Sequence, residues 1–112
     1  MKLLSRTEDQ LCIVSVNDDR IDAAVAIEFK DAMRAETDGG AEIVILDLSS
    51  VGFIDSSGLG AIVASMKHMG QDRTLALAGL TPNVDKVFRL TRMDSVFSLF
   101  ATLDGAVNEL QH

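Results

Sequence analysis

Ile43-Val44-Ile45-Leu46 is apolar at four consecutive positions, with β-branched residues at three of them. A strand with one wet face alternates apolar and polar residues. An uninterrupted apolar strand is buried on both faces, the pattern of a central strand in a sheet covered by helices on both sides. This run therefore restricts the chain to α/β architectures and places itself at the middle of the sheet.

The flanking segments read consistently with that restriction. Leu3 to Thr7 is expected to form a short first strand, with Glu8-Asp9-Gln10 as a polar turn, and Leu11 to Val16 a better one. Asn17 to Asp22 is a loop of turn formers, and Asp22 is placed to cap a helix from about Ala23 to Thr37. Val25, Ala26, Phe29, Ala32 and Met33 share one stripe of that helix, and Asp38-Gly39-Gly40 stops it. After the connector Ser49 to Ile54, Leu59, Ile62, Val63 and Met66 are spaced for one face of a helix that ends near Met69, before Gly70. Thr74 to Ala78 is the next strand. Thr81-Pro82 has the form of a hydroxyl cap and a first-turn proline, with Val84, Val87, Phe88 and Thr91 as the inner stripe. Val96 to Phe100 and Thr102 to Leu110 read as a last strand and a closing helix, the latter with Leu103, Val107 and Leu110 inward. The order β-β-α-β-α-β-α-β-α implies a mixed, mostly parallel sheet with right-handed crossovers and about four α-helices. Residues 1–112 are expected to be one domain, with a core from about 3 to 110.

Charge narrows the functional classes. Seventeen acidic residues against ten basic ones leave a net charge of −7. That opposes direct nucleic-acid binding and an anionic membrane surface, and it suits a partner with a basic patch. No apolar run reaches the length of a membrane span, and the first residues turn polar too soon for a signal peptide, so the cytoplasm is the expected location. Cys12 lies in Leu11-Cys12-Ile13-Val14 and reads as a buried thiol.

Catalysis finds little support. The histidines are His68, on the polar side of its helix, and His112, the last residue; neither is placed to activate a serine. No cofactor motif or metal-ligand spacing occurs, so no catalytic residue, metal or cofactor is expected. Asp18, Asp19 and Asp47 superficially resemble the acidic cluster of a receiver domain phosphorylated on aspartate. The strand Thr74 to Ala78 then ends in Gly79-Leu80, without the lysine that mechanism needs.

Asp55-Ser56-Ser57-Gly58-Leu59-Gly60 carries the chemistry. It lies where a loop enters a helix, and there unpaired N–H groups and the positive end of the helix dipole gather. One small oxygen-bearing side chain is enough for a cap, and Asp55, Ser56 and Ser57 all qualify. Gly58 and Gly60 are poor helix formers, expected to leave room for something that docks. A phosphate on Ser56 would add about −1.5 to −2 charges, which its own helix start tolerates and an approaching protein surface would not.

The stretch Asp47-Leu48-Ser49-Ser50-Val51-Gly52-Phe53-Ile54-Asp55-Ser56-Ser57-Gly58-Leu59-Gly60 resembles the signature of the bacterial anti-sigma-factor antagonists, a group of STAS domains. The resemblance extends to Leu75 to Val84 and to Leu90 to Phe97, and spans about Leu3 to Leu110. It implies a non-enzymatic switch: the unphosphorylated protein binds an anti-sigma factor that is also a serine kinase, releasing the kinase's client. Phosphorylation of Ser56 ends the complex, and a metal-dependent PP2C-like phosphatase restores it. It further implies that Asp22 lies beside Ser56 and that Asp22, Asp55, Ser56, Ser57, Gly58 and Leu59 meet the partner, with Ser57 itself unmodified. The family's glycine near Asp18 is absent, its threonine is Val25, and Arg92 stands where a glycine is usual. The other reading left by the residues is a STAS module that binds a nucleotide or small ligand, or acts as a scaffold.

Overall fold

The computed structural model describes residues 1–111, and the chain runs β1 (Leu3–Glu8), β2 (Leu11–Val16), β3 (Arg20–Ile21), α1 (Ala26–Thr37), β4 (Ile43–Asp47), β5 (Phe53–Ile54), α2 (Ser56–Met69), β6 (Thr74–Ala78), α3 (Pro82–Leu90), a 3-10 turn (Met93–Ser95), β7 (Ser98–Phe100) and α4 (Leu103–Leu110). The main sheet has the order β1-β2-β4-β6-β7, with the apolar run 43–46 in its middle strand. β1 joins antiparallel to β2 through a tight turn at Asp9 and Gln10; every other pair in the sheet is parallel.

The two faces of β4 have different covers. Val44 and Leu46 enter the larger core with Phe29 of α1, Ile62 of α2 and Phe88 of α3, all fully buried. Ile45 faces the other way, against Ile13, Ala76 and Ala106, where Leu103, Val107 and Leu110 of α4 close the layer. Burying each of the large side chains contributes roughly 1.5–3 kcal/mol relative to exposure, so both helical layers are needed to keep β4 dry. Phe88 meets Phe97 edge to face, centroids 6.0 Å apart, which ties α3 to the turn before β7.

Several local expectations are corrected. α1 starts at Ala26 instead of Ala23 because Asp22 Oδ1 accepts from the Ala24 amide (3.1 Å), holding 22–25 in a turn outside the helix. Thr81 occupies the cap position of α3, yet its hydroxyl donates to the Val51 carbonyl (2.7 Å) and makes no cap bond. That bond ties the 49–54 connector to the start of α3. Thr91 ends α3 exposed, its hydroxyl bonded back to Val87 O (2.6 Å). The last strand begins at Ser98, since Arg92 takes φ 62° and the chain turns through 93–95 first. Glycine adopts that left-handed backbone freely, whereas an arginine there costs about 1 kcal/mol, so the departure from the family pattern at Arg92 carries strain.

Neither the 17–22 loop nor the 49–54 connector is wholly irregular. Each contributes a two-residue strand, and β3 pairs with β5 in a separate parallel sheet, Arg20 opposite Phe53 and Ile21 opposite Ile54. This small sheet positions the site.

Candidate functional site

The site is built around the start of α2, pressed against the backbone of β3. Gly58, in the first turn, is buried; a Cβ there would lie 2.0 Å from the Ile21 carbonyl oxygen and 2.9 Å from Ile54 Cγ1. Only glycine permits that approach, because the clash is with backbone that β3–β5 pairing holds in place. The Gly52 amide donates to Asp19 O (2.8 Å) and the Asp55 amide to Ile21 O (3.4 Å), extending the junction on both sides. The room Gly58 leaves is thus taken by this chain's own Ile21. A Cβ at Gly60 would have no neighbour within 4 Å, so no close contact inside the chain requires glycine there.

Asp55 is the N-cap. Its Oδ1 accepts from the Gly58 amide (2.9 Å) and its Oδ2 from the Ala23 amide (3.1 Å), so one carboxylate caps α2 and stitches it to the loop after β3. The Gly58 bond holds its pKa below the usual carboxylate value; partial burial opposes that shift and the Ala23 bond reinforces it. Asp22, half-buried, adjoins that stitched amide. Its second oxygen lies 3.6 Å from an Arg20 guanidinium nitrogen, and Arg20 also reaches Asp19 at 3.8 Å.

Ser56 and Ser57 open α2 at its positive end, both exposed. Among the described residues, neither hydroxyl has a hydrogen-bond partner. Leu59 is half-buried and packs on the larger core, so its side chain is largely occupied within the fold. The structure therefore brings Asp22, Asp55, Ser56 and Ser57 to one edge, and places Gly58 and Leu59 beneath it.

Two neighbours are not evident from the sequence. Arg20 lies between the acids it partly neutralises, and Phe53 is half-exposed on β5 beside the helix start. The spacing Asp19-Arg20-x-Asp22 is the available signal for the first. A two-residue strand has no periodicity to reveal the second.

The acidic residues that resemble a receiver's cluster do not converge. Asp47 Oδ1 accepts from the Ser49 amide (3.0 Å) and Oδ2 from the Ser15 hydroxyl (3.5 Å), while Asp18 accepts from the Asp19 amide (2.8 Å). Among the described residues, no three side chains of metal-ligating type gather at one point. Cys12 is buried and His68 exposed, as their surroundings in sequence suggest; His112 lies outside the described residues.

A family model described as STAS domain matches residues 2–106. The chain is similar to an anti-sigma-B factor antagonist of Listeria monocytogenes, 28% identical over 89 residues that span 79% of this chain and 77% of that one. Among solved structures, it resembles an anti-sigma factor antagonist from Mycobacterium paratuberculosis, with TM-score 0.88 and 27% identity, covering 99% and 94% of the two chains. The Bacillus cell fate determinant SpoIIAA in its phosphorylated form shares the fold at TM-score 0.70 and 16% identity, covering 97% and 99%.

Proposed function

This chain belongs to the STAS-domain family, and from that premise we propose that it is an anti-sigma-factor antagonist switched by phosphorylation of Ser56. In the unphosphorylated state it binds an anti-sigma factor with serine kinase activity and frees that factor's client. The kinase phosphorylates Ser56, which ends the complex, and a PP2C-like phosphatase resets it. The cycle operates in the cytoplasm, where ATP is at hand. Among the described residues, no helix is long and apolar enough to cross a membrane.

One observation carries this reading: the capping work is done by Asp55, which leaves the Ser56 hydroxyl exposed and uncommitted at the first residue of α2. A phosphate could be added there without withdrawing a bond the fold uses. Its charge of about −1.5 to −2 sits at the positive end of the helix dipole, so the fold absorbs it. A partner surface shaped for a neutral hydroxyl, with the Asp22 and Asp55 carboxylates around it, instead meets a concentrated negative charge and a larger group. Asp22, Asp55, Ser56 and Ser57 form the contact edge; Gly58 and Leu59 hold that edge in place.

Mass spectrometry of the protein purified from its native cells, in growth and under stress, tests the proposal. Phosphate is expected on Ser56, varying with condition, and Ser56→Ala is expected to remain folded, take up no phosphate and retain the co-purifying kinase. Phosphate confined to Ser57 would displace the acceptor by one residue. Absence of modification in every condition would favour ligand binding or scaffolding in place of a switch.

A further inference from the structure

Farther along α2, at the other end from Ser56, α1 and α2 leave between them a cleft of about 40 Å³, lined by Lys30, Arg34 and Thr37 of α1 and by Ala64, Ser65 and His68 of α2. Its chemistry runs against the rest of the molecule. In a chain with 17 acidic and 10 basic residues, two cationic side chains and an imidazole border one small space. Among the described residues, none of the three has a carboxylate within ion-pairing distance; the ion pairs lie at the N-terminus, at Arg20 and at Arg89.

Lys30 and Arg34 are four residues apart, the spacing that brings like charges together on a helix at a cost in stability. Helix dipoles account for Arg34 and His68, each in the last turn of its helix, but not for Lys30. The small side chain of Ala64, one turn before His68, opens the space between the helices. Thr37 and Ser65 commit their hydroxyl hydrogens to Met33 O (2.7 Å) and Ala61 O (2.9 Å). The donors left to the cleft are therefore the ammonium, guanidinium and imidazole groups.

We propose that this cleft binds a small tetrahedral oxyanion, phosphate or sulfate, either free or as the end group of a monoester. Arg34 supplies a forked pair of donors, Lys30 adds a second positive charge, and His68 offers a ring N–H donor. The volume admits a group the size of a few water molecules and excludes a ring system. Ala64 and His68 lie 8 and 12 residues beyond Ser56, roughly 12 and 18 Å along the helix axis. The cleft is thus separate from the phosphorylation edge, and occupancy would clamp α1 to α2, the helix whose first turn carries Ser56 and Ser57.

Titration of the full chain with sodium phosphate, against sodium chloride at matched ionic strength, tests this by amide NMR shifts. Saturable shifts confined to residues 30–37 and 64–68 are expected. Arg34→Gln, at an exposed position, should weaken binding by about tenfold through loss of charge-assisted donors. Lys86→Gln, an exposed cation on α3, should leave the affinity unchanged. A parallel titration with glycerol 3-phosphate separates the sources: saturation at the same amides assigns the phosphomonoester group, and its absence assigns the free ion. Shifts that rise linearly without saturation would overturn the proposal. So would equal losses in the Arg34 and Lys86 variants, or saturation by an acidic peptide alone.

Discussion

The starts of α2 and α4 use the same short-range device and reach different ends. At α4, Thr102 Oγ1 accepts from the Gly105 amide at 3.0 Å; at α2, Asp55 Oδ1 accepts from the Gly58 amide at 2.9 Å. Each is a small polar side chain bonding a glycine amide three residues on. The hydroxyl of Thr102 is occupied by this bond and serves its own helix. The carboxylate of Asp55 has a second oxygen, which takes the Ala23 amide and joins two loops distant in sequence. Because a carboxylate does both jobs, the next hydroxyl, Ser56, is left without a hydrogen-bond partner among the described residues. A helix start becomes a candidate switch when its cap is not also its acceptor.

The largest expected break in this parallel is at the two glycines. Gly58→Ala drives a methyl into the Ile21 carbonyl, a contact of 2.0 Å with backbone, and should destabilise the fold by about 3 kcal/mol or more. Gly105→Ala meets only the Thr102 hydroxyl, at 3.1 Å, and should change stability by less than about 1 kcal/mol. Urea denaturation measures both, and equal losses would mean that α2 is no more tightly seated than α4.

Next in size is the cap itself. Thr102→Ala should cost about 1 kcal/mol in the same assay and leave Ser56 phosphorylation untouched. A changed phosphorylation rate would show that α4 communicates with the switch.

The two caps should also separate on acidification. The pKa of Asp55 is lowered in the folded state, chiefly by the Gly58 bond. Its contribution is therefore complete above the unfolded carboxylate value and is lost as pH falls through the lower folded one. Asp55→Asn removes that contribution, so its stability should decline less than that of the wild type below about pH 4. Thr102→Ala, which removes no titrating group, should decline in parallel with the wild type. Thermal melts from pH 6 to pH 2 would distinguish them.

The smallest effect is expected at Asp22. Arg20 already partly neutralises it, so Asp22→Asn should weaken the proposed kinase complex only several-fold at low salt, and less as salt screens the edge. Unchanged affinity at low salt would remove Asp22 from the contact edge and leave Asp55 and Ser56 to define it.

Much of the sheet is legible in the chain alone. The apolar run 43–46 demands cover on both faces, and α4 on one side with α1, α2 and α3 on the other supplies it. The candidate acceptor is equally visible, because Asp55-Ser56-Ser57 sits at a loop-to-helix junction in any arrangement of the chain. Less visible is what Gly58 is for. Its expected docking space is filled by Ile21, 37 residues away in sequence. Thr81 likewise looks like a cap and instead holds Val51, since a hydroxyl takes whichever partner the packed fold brings within reach.

Hydrophobic period, capping chemistry and charge are properties of neighbours along the chain, and they determined the order of the longer elements, the central strand and the loop-to-helix junction at Asp55-Ser56-Ser57. Pairing β3 with β5, aiming both oxygens of Asp55, and gathering Lys30, Arg34 and His68 around one cleft depend on contacts between segments far apart in sequence. Two-residue strands have no pattern of their own, and a carboxylate can bond any amide presented to it. Only closure of the tertiary structure chose among those partners.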